Sequence, residues 1–316
     1  MALEPIKWRS KIILVKPEPL NAYGQDSNPT GAVNGMLMTN VQLQPMEGQE
    51  VSRDLELPYL GAQEQVPVGL YSVLSGDFEL VGSGVVGTPP AWGPLLRACG
   101  AAEVITPGES VVYSPITDNM ESVSCYMWIG PNRYVILGAR ASAEFTVGVN
   151  GIPKCRVTIT GLFTVPGVQA RPAVVLTNWQ KPKVASNANT PTFSIDAIDF
   201  TAREFKLNLG CEVQPRMMFG SERIIIVDKD EQLTCTVEAV PHTTYNPVAR
   251  AMTPAPSQAI VLEHDTVAGR KVKIEAGHAV QQRFGGPSEN QKIEEWALGF
   301  KPLPGSGNDQ WLITLT

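Results

Sequence analysis

Trp92-Gly93-Pro94-Leu95-Leu96-Arg97-Ala98 returns later in the chain as Tyr245-Asn246-Pro247-Val248-Ala249-Arg250-Ala251, and this recurrence decides how the fold is read. Both segments run aromatic, any residue, Pro, aliphatic, any residue, Arg, Ala. Proline suits the first turn of a helix, where the N–H it lacks has no intrahelical acceptor and its fixed φ is already helical. The aromatic before it can staple onto the helix body. The spacing therefore predicts two short helices, anchored by Trp92, Pro94 and Arg97 in the first and by Tyr245, Pro247 and Arg250 in the second.

The flanks repeat as well. Ahead of the first helix run Val41-Gln42-Leu43, Glu50-Val51 and a strand ending Asp77-Phe78-Glu79-Leu80-Val81; ahead of the second run Phe205-Lys206-Leu207, Glu212-Val213 and Leu233–Val240. Downstream, Asn132–Gly138 matches Gly269–Glu275, and Ala143–Val147 stands against His278–Gln282. After a Gly-Pro turn in each copy, Cys155–Phe163 matches Lys292–Phe300. Apolar and polar residues alternate through these segments, as in half-buried strands. The first copy carries an extra segment around Val111-Val112-Tyr113-Ser114-Pro115 that the second mostly lacks. A repeat of this length points to tandem duplication. The expected organisation is a first β domain over 1–176, a Pro/Asn-rich linker over 177–190 and a second β domain over 191–316.

Composition narrows the function. The 316 residues include 28 Gly and 26 Pro, which fits many short strands joined by turns. Only 18 % are charged, below the usual quarter, so much of the surface is expected to meet protein rather than water. With 25 basic and 31 acidic residues the net charge is −6, and the overall basic footprint of a nucleic-acid binder is missing. Met1-Ala2-Leu3-Glu4-Pro5 shows no signal-peptide pattern, and no apolar run has the length of a membrane span. The five cysteines (Cys99, Cys125, Cys155, Cys211, Cys235) lack Cys-x-x-Cys spacing and read as small buried hydrophobes of a protein made in a reducing cytoplasm.

Catalytic patterns fare poorly. Gly82-Ser83-Gly84-Val85-Val86-Gly87 matches the dinucleotide-binding Gly-x-Gly-x-x-Gly, but Thr88-Pro89-Pro90 separates it from the helix and spoils the tight strand-to-helix turn. His242, His264 and His278 are scattered without metal-ligand spacing and read as surface or turn residues. No catalytic residue, cofactor or metal site is assigned, and the chain is expected not to be an enzyme.

At Arg53-Asp54-Leu55-Glu56-Leu57-Pro58-Tyr59-Leu60-Gly61, and most specifically at Gly87–Gly100 with its ending Leu96-Arg97-Ala98-Cys99-Gly100, the sequence resembles the tail tube proteins of siphophage-type tails. The resemblance continues through Gly138-Ala139-Arg140, Thr158–Phe163 and Asn187–Phe193, covering nearly the whole chain. It implies a mainly β fold, a tandem pair of tail-tube-type sandwich or barrel domains each with one short α-helix. Such proteins stack as rings into the hollow tube through which the phage genome passes, and some two-domain relatives close the ring with three subunits. The implied partners are further copies of the chain in a pseudo-sixfold trimer, the tape measure, tail terminator and distal tail proteins, and double-stranded DNA in transient passage. The implied location is the virion tail, after synthesis in the bacterial cytoplasm.

Phosphates slide past a neutral or acidic wall and stick to rings of Lys or Arg. On the predicted strands, Glu79, Glu144, Glu238 and Glu294 are the candidates to face the bore, with an outer solvated face as the plainer alternative for each. Lys16–Pro29 and Leu60–Val66 are candidate extensions toward a neighbouring ring. The rival function is a monomeric β-sandwich adhesin or carbohydrate-binding module. That would favour exposed aromatic clusters, whereas the aromatics here recur at matching positions in the two copies, as core anchors would.

Overall fold

The computed structural model describes residues 5–252 and 255–316. Met1–Glu4, most of the N-terminus inspected for a targeting signal, lie outside them. The chain is mainly β, and among the described residues every strand pair is antiparallel. The first half runs β1 (Lys11–Pro17), β2 (Thr39–Ser52), β3 (Gln65–Glu79), α1 (Gly93–Ala98), β4 (Ala101–Thr106), β5 (Ser110–Pro115), β6 (Val123–Ile129), β7 (Asn132–Gly148), β8 (Lys154–Leu162) and β9 (Gly167–Val168). The second runs β10 (Thr192–Ile195), β11 (Ile198–Asp199), β12 (Ala202–Asn208), β13 (Cys211–Met218), β14 (Ser221–Lys229) and β15 (Gln232–Glu238). It continues through α2 (Pro247–Arg250), β16 (Ser257–His264), β17 (Val272–Gln281), β18 (Pro287–Asn290), β19 (Ile293–Pro302) and β20 (Leu312–Leu315).

Neighbouring strands follow one order in both halves. It is β1-β6-β7-β8-β3-β2 in the first. In the second it is β10-β16-β17-β19-β15-β12. β7 serves two layers: its start pairs with β6 and its end with β8, and the register slips between Leu137 and Arg140 where it bends. Gly138 sits in that bend with φ +57, and a Cβ there would meet the Tyr23 ring at 2.7 Å. Apolar side chains from both layers fill the space between, among them Ile13, Leu74, Phe78, Ile136, Phe145 and Ile159 in the first half. Phe205, Leu233, Val237, Leu262, Trp296 and Phe300 do the same in the second.

The sheet register corrects the residue-level match between the halves. Cys155 lies opposite Phe78, and Trp296 opposite Val237, so Trp296 rather than Lys292 stands in the place of Cys155. A large residue faces a small one in both pairs, with the large one on the other strand. Close packing fixes the shared volume of facing residues, not which strand supplies it. The strand order persists while the letters change.

One candidate extension and the inter-domain stretch both make contacts with their own chain. In Lys16–Pro29, the buried Glu18 carboxylate accepts from Gly24 N, Ser122 Oγ, Ser124 Oγ and Gly138 N at 2.6–2.9 Å. Four donors satisfy the charge and pin the loop across β6 and β7. The 177–190 stretch, expected as the linker, packs against residues of both halves. Ala185 is buried and exchanges backbone hydrogen bonds with Asn150 and Gly151, and Lys183 Nζ reaches Asp265 at 2.7 Å. Burial opposes ionisation of Asp265, yet the Lys183 bond and those from Thr266 and Val267 N–H hold its carboxyl below the usual range. Beside it His264 is buried, not on the surface, with Nδ1 3.0 Å from Thr190 Oγ1; burial lowers its pKa.

Candidate assembly interface

Among the described residues, strand pairing crosses between the halves at two places. β12 runs along the end of β7, from Glu204 opposite Gly148 to Asn208 opposite Glu144. β20 lies between β17 and β5, with Leu315 opposite Val272 on one side and Val111 on the other. A third contact is backbone on backbone. Gly84 N–H donates to the Gly269 carbonyl at 2.9 Å. A Cβ on Gly82 would come within 2.3 Å of that oxygen, and one on Gly269 within 2.5 Å of the Gly84 carbonyl carbon. The glycines of Gly82–Gly87 thus let two chain segments touch, and α1 starts only at Gly93. Gly269→Ala adds a side chain at φ +82 and at this contact. It is expected to lower stability by about 2–5 kcal/mol; an unchanged urea midpoint would refute the role given to this contact.

The joint has open counterparts at both ends of the chain. Leu43 lies opposite Leu74 as Leu207 lies opposite Leu233, so the start of β2 holds the position of β12. Pro287 lies opposite Trp296 as Phe145 lies opposite Cys155, so β18 holds the position of the end of β7. β12 and the end of β7 pair with each other. Among the described residues β2 pairs only with β3, and β18 only with β19. A groove of about 860 Å³ runs beside the open edge of β2, lined by Trp8, Ile13, Leu37, Met38, Val41 and Leu176 among others. Unpaired strand edges invite pairing with another chain.

Glu79, Glu144 and Glu238 leave the sheet on the face turned from the core, since Phe78, Phe145 and Val237 beside them are buried. Glu294 alternates the other way: it shares the face of Trp296 and accepts from Trp296 Nε1 at 2.9 Å. The outward face that carries Glu79, Glu144 and Glu238 is mixed rather than acidic. Asp77 holds Arg156 at 3.3 Å and Lys154 at 3.5 Å, Glu204 holds Lys206 at 2.8 Å, and Lys301 pairs with Asp230. Each of these cations has a carboxylate partner, which weakens its pull on a passing anion.

The helix anchors pin each helix to its own half. Trp92 is buried, donates to the Val81 carbonyl at 2.8 Å and stacks on Phe78 at 5.5 Å. Arg97 binds Glu121 through two nitrogens at 2.5 and 2.7 Å, and this hydrogen bonding raises its pKa. Tyr245 is buried with its hydroxyl 2.7 Å from Gln258 Oε1 and 2.6 Å from Gln281 Oε1; burial raises its pKa. Arg250 pairs with Asp196 at 2.8 Å. Pro94 is half-buried and Pro247 buried at the two helix starts, and Asn246 caps α2 by accepting from Val248 N and Ala249 N.

Two hairpin arms extend from the sheet: the outer parts of β2 and β3, and β13 with β14. The first exposes Val51, Val66 and Val68, and its tip exposes Tyr59 and Leu60. The five cysteines are buried with free thiols, and burial pushes that of Cys125 up to about 12. No group of three metal-capable side chains is found among the described residues. A scan of protein-family models and a search of curated proteins gave no match to this chain.

Proposed function

We propose that this chain is the structural subunit of a phage tail tube, joining head to tail with two further copies into a ring that stacks into a conduit for DNA. One observation carries the proposal: the strand edges paired between the halves recur, open, at the two ends of the chain. When β18 of one copy lies along β2 of the next, the internal joint is repeated and the sheet runs on without an edge. A heterologous contact of this kind closes into a ring if its rotation divides the full circle, and otherwise grows a filament. Two units per chain, related as tandem tail-tube domains with one short helix each, make three chains a pseudo-sixfold ring.

The face turned from the core would then line the bore. Its paired cations suit a wall that does not grip phosphate, because each positive charge is already neutralised beside it. The tape measure, terminator and distal tail proteins follow as partners in the assembled tail. Light scattering on concentrated protein, with negative-stain images of the same sample, tests the proposal. Hollow rings or rods with three chains per layer are expected. A protein that stays monomeric at all concentrations would return the adhesin alternative to first place.

A further inference from the structure

We infer that the first arm, the outer part of β2 and β3, lies across the second half of the neighbouring copy in the same ring and does not reach into the next ring. The inference rests on the ring proposal and adds to it the seat of the arm.

The second arm shows how such a seat is made. β13 and β14 fold back over the first half of their own chain. Ile224 is fully buried there, and its N–H donates to Tyr23 Oη at 2.6 Å. At the base of the arm the Cys211 thiol lies 3.2 Å from the Cys99 carbonyl, just past α1. Lys229 Nζ donates to the carbonyls of Gly100 and Ile116 at 2.7 and 2.9 Å. Removal from water lowers the Lys229 pKa, and the two carbonyls take up its donors.

The first arm has the same build, and it leaves Val51, Val66 and Val68 exposed. Glu47 faces Tyr71 as Cys211 faces Lys229, and both Glu47 and Cys211 follow the matched residues Leu43 and Leu207 at the same distance along the chain. Val51 faces Val66 where Pro215 faces Ile224, and Gln49 faces Val68 where Val213 faces Ile226. Ile224 is 0 % exposed, yet its counterpart Val66 is 43 % exposed. The surface such an arm would cover is open as well. Met252 follows Pro247 at the spacing at which Cys99 follows Pro94; Cys99 is 0 % exposed and Met252 65 %.

The chain therefore makes this contact once within itself and exposes both sides of it a second time. The second arm crosses the half whose β7 edge joins β12. By the same relation, the first arm crosses the half whose β18 edge joins β2, which belongs to the copy next to it in the ring. Apolar exposure on both sides fits burial against protein.

Cysteine cross-linking tests the placement on the full-length chain. Glu47→Cys combined with Met252→Cys is assembled and mildly oxidised, the native thiols being buried. A non-reducing gel is expected to show a ladder that stops at a covalent trimer, because each ring closes on itself. A ladder continuing beyond three chains would place the arm in the next ring and overturn the inference. A bond within one chain, or no bond in samples whose rings are visible by electron microscopy, would overturn it too while leaving the ring intact. Absence of rings in the unmodified protein would remove the ring proposal itself. As a second measurement, Val66→Glu with Val68→Glu is expected to raise the concentration for half-assembly about tenfold or more; an unchanged value counts against the seat.

Discussion

Glu289→Pro is expected to abolish ring closure and leave a folded monomer. β19 lies between β15 and β18, and the Glu294 carbonyl accepts from Ala239 N–H, on the side of β15. Glu295 therefore turns its backbone groups to β18, where it faces Ser288. Successive residues of a strand point their N–H groups to opposite edges. The Glu289 N–H accordingly faces the open side, where proline removes a donor that its own sheet does not use. The corresponding residue inside the chain is Val147, which faces Phe205. Each ring joint would lose a ladder bond and gain a clash, about 1–3 kcal/mol or about five- to a hundredfold per contact, compounded over the closures of a ring. Ser288→Pro is the control: it removes the N–H facing β19 and should weaken the monomer instead. Rings of normal size formed by the Glu289 variant, seen in light scattering, would dismiss the edge-to-edge joint.

Trp92→Ala carries the largest expected effect on folding. The indole is buried between Phe78 and Tyr113, with ring centroids at 5.5 and 5.6 Å, and its N–H is bonded to the Val81 carbonyl. Truncation leaves a cavity and an unpaired carbonyl, for a loss of about 3–5 kcal/mol in urea denaturation. Tyr245→Phe in the second half keeps the packing and removes only the hydroxyl shared by Gln258 and Gln281, so its loss should be near 1–3 kcal/mol. Equal losses for the two variants would mean that the two anchors do not differ as their surroundings indicate.

Some of this was legible in the residues and some was not. The helix starts could be read because Pro94 and Pro247 act through their own backbone, and the aromatic and arginine around them need only local partners. Strand alternation likewise exposed Glu79, Glu144 and Glu238 as outward-facing. Glu294 misled because Glu295 and Trp296 are both buried and the simple alternation breaks beside them. The match of Lys292 to Cys155 failed because Phe78 with Cys155 and Val237 with Trp296 fill similar space from opposite strands. The burial of His264 depends on the crossing segment that brings Thr190 and Lys183 over it, and nothing near His264 in sequence announces that segment. The open edges of β2 and β18 were hidden for a related reason: pairing belongs to the neighbour as much as to the strand.

β20 imposes an order of events on the making of the molecule. Tyr113 takes Ile313 as its strand partner, so β5 must wait while about two hundred residues emerge from the ribosome, on the order of 10–40 s at ordinary bacterial rates. Contacts between such distant parts of a chain form late, since a long loop must close before they are rewarded. During that interval the nascent first half carries a raw margin at β5, open to chaperones and to stray association. The seam between the halves is thus sealed only after β20 has emerged.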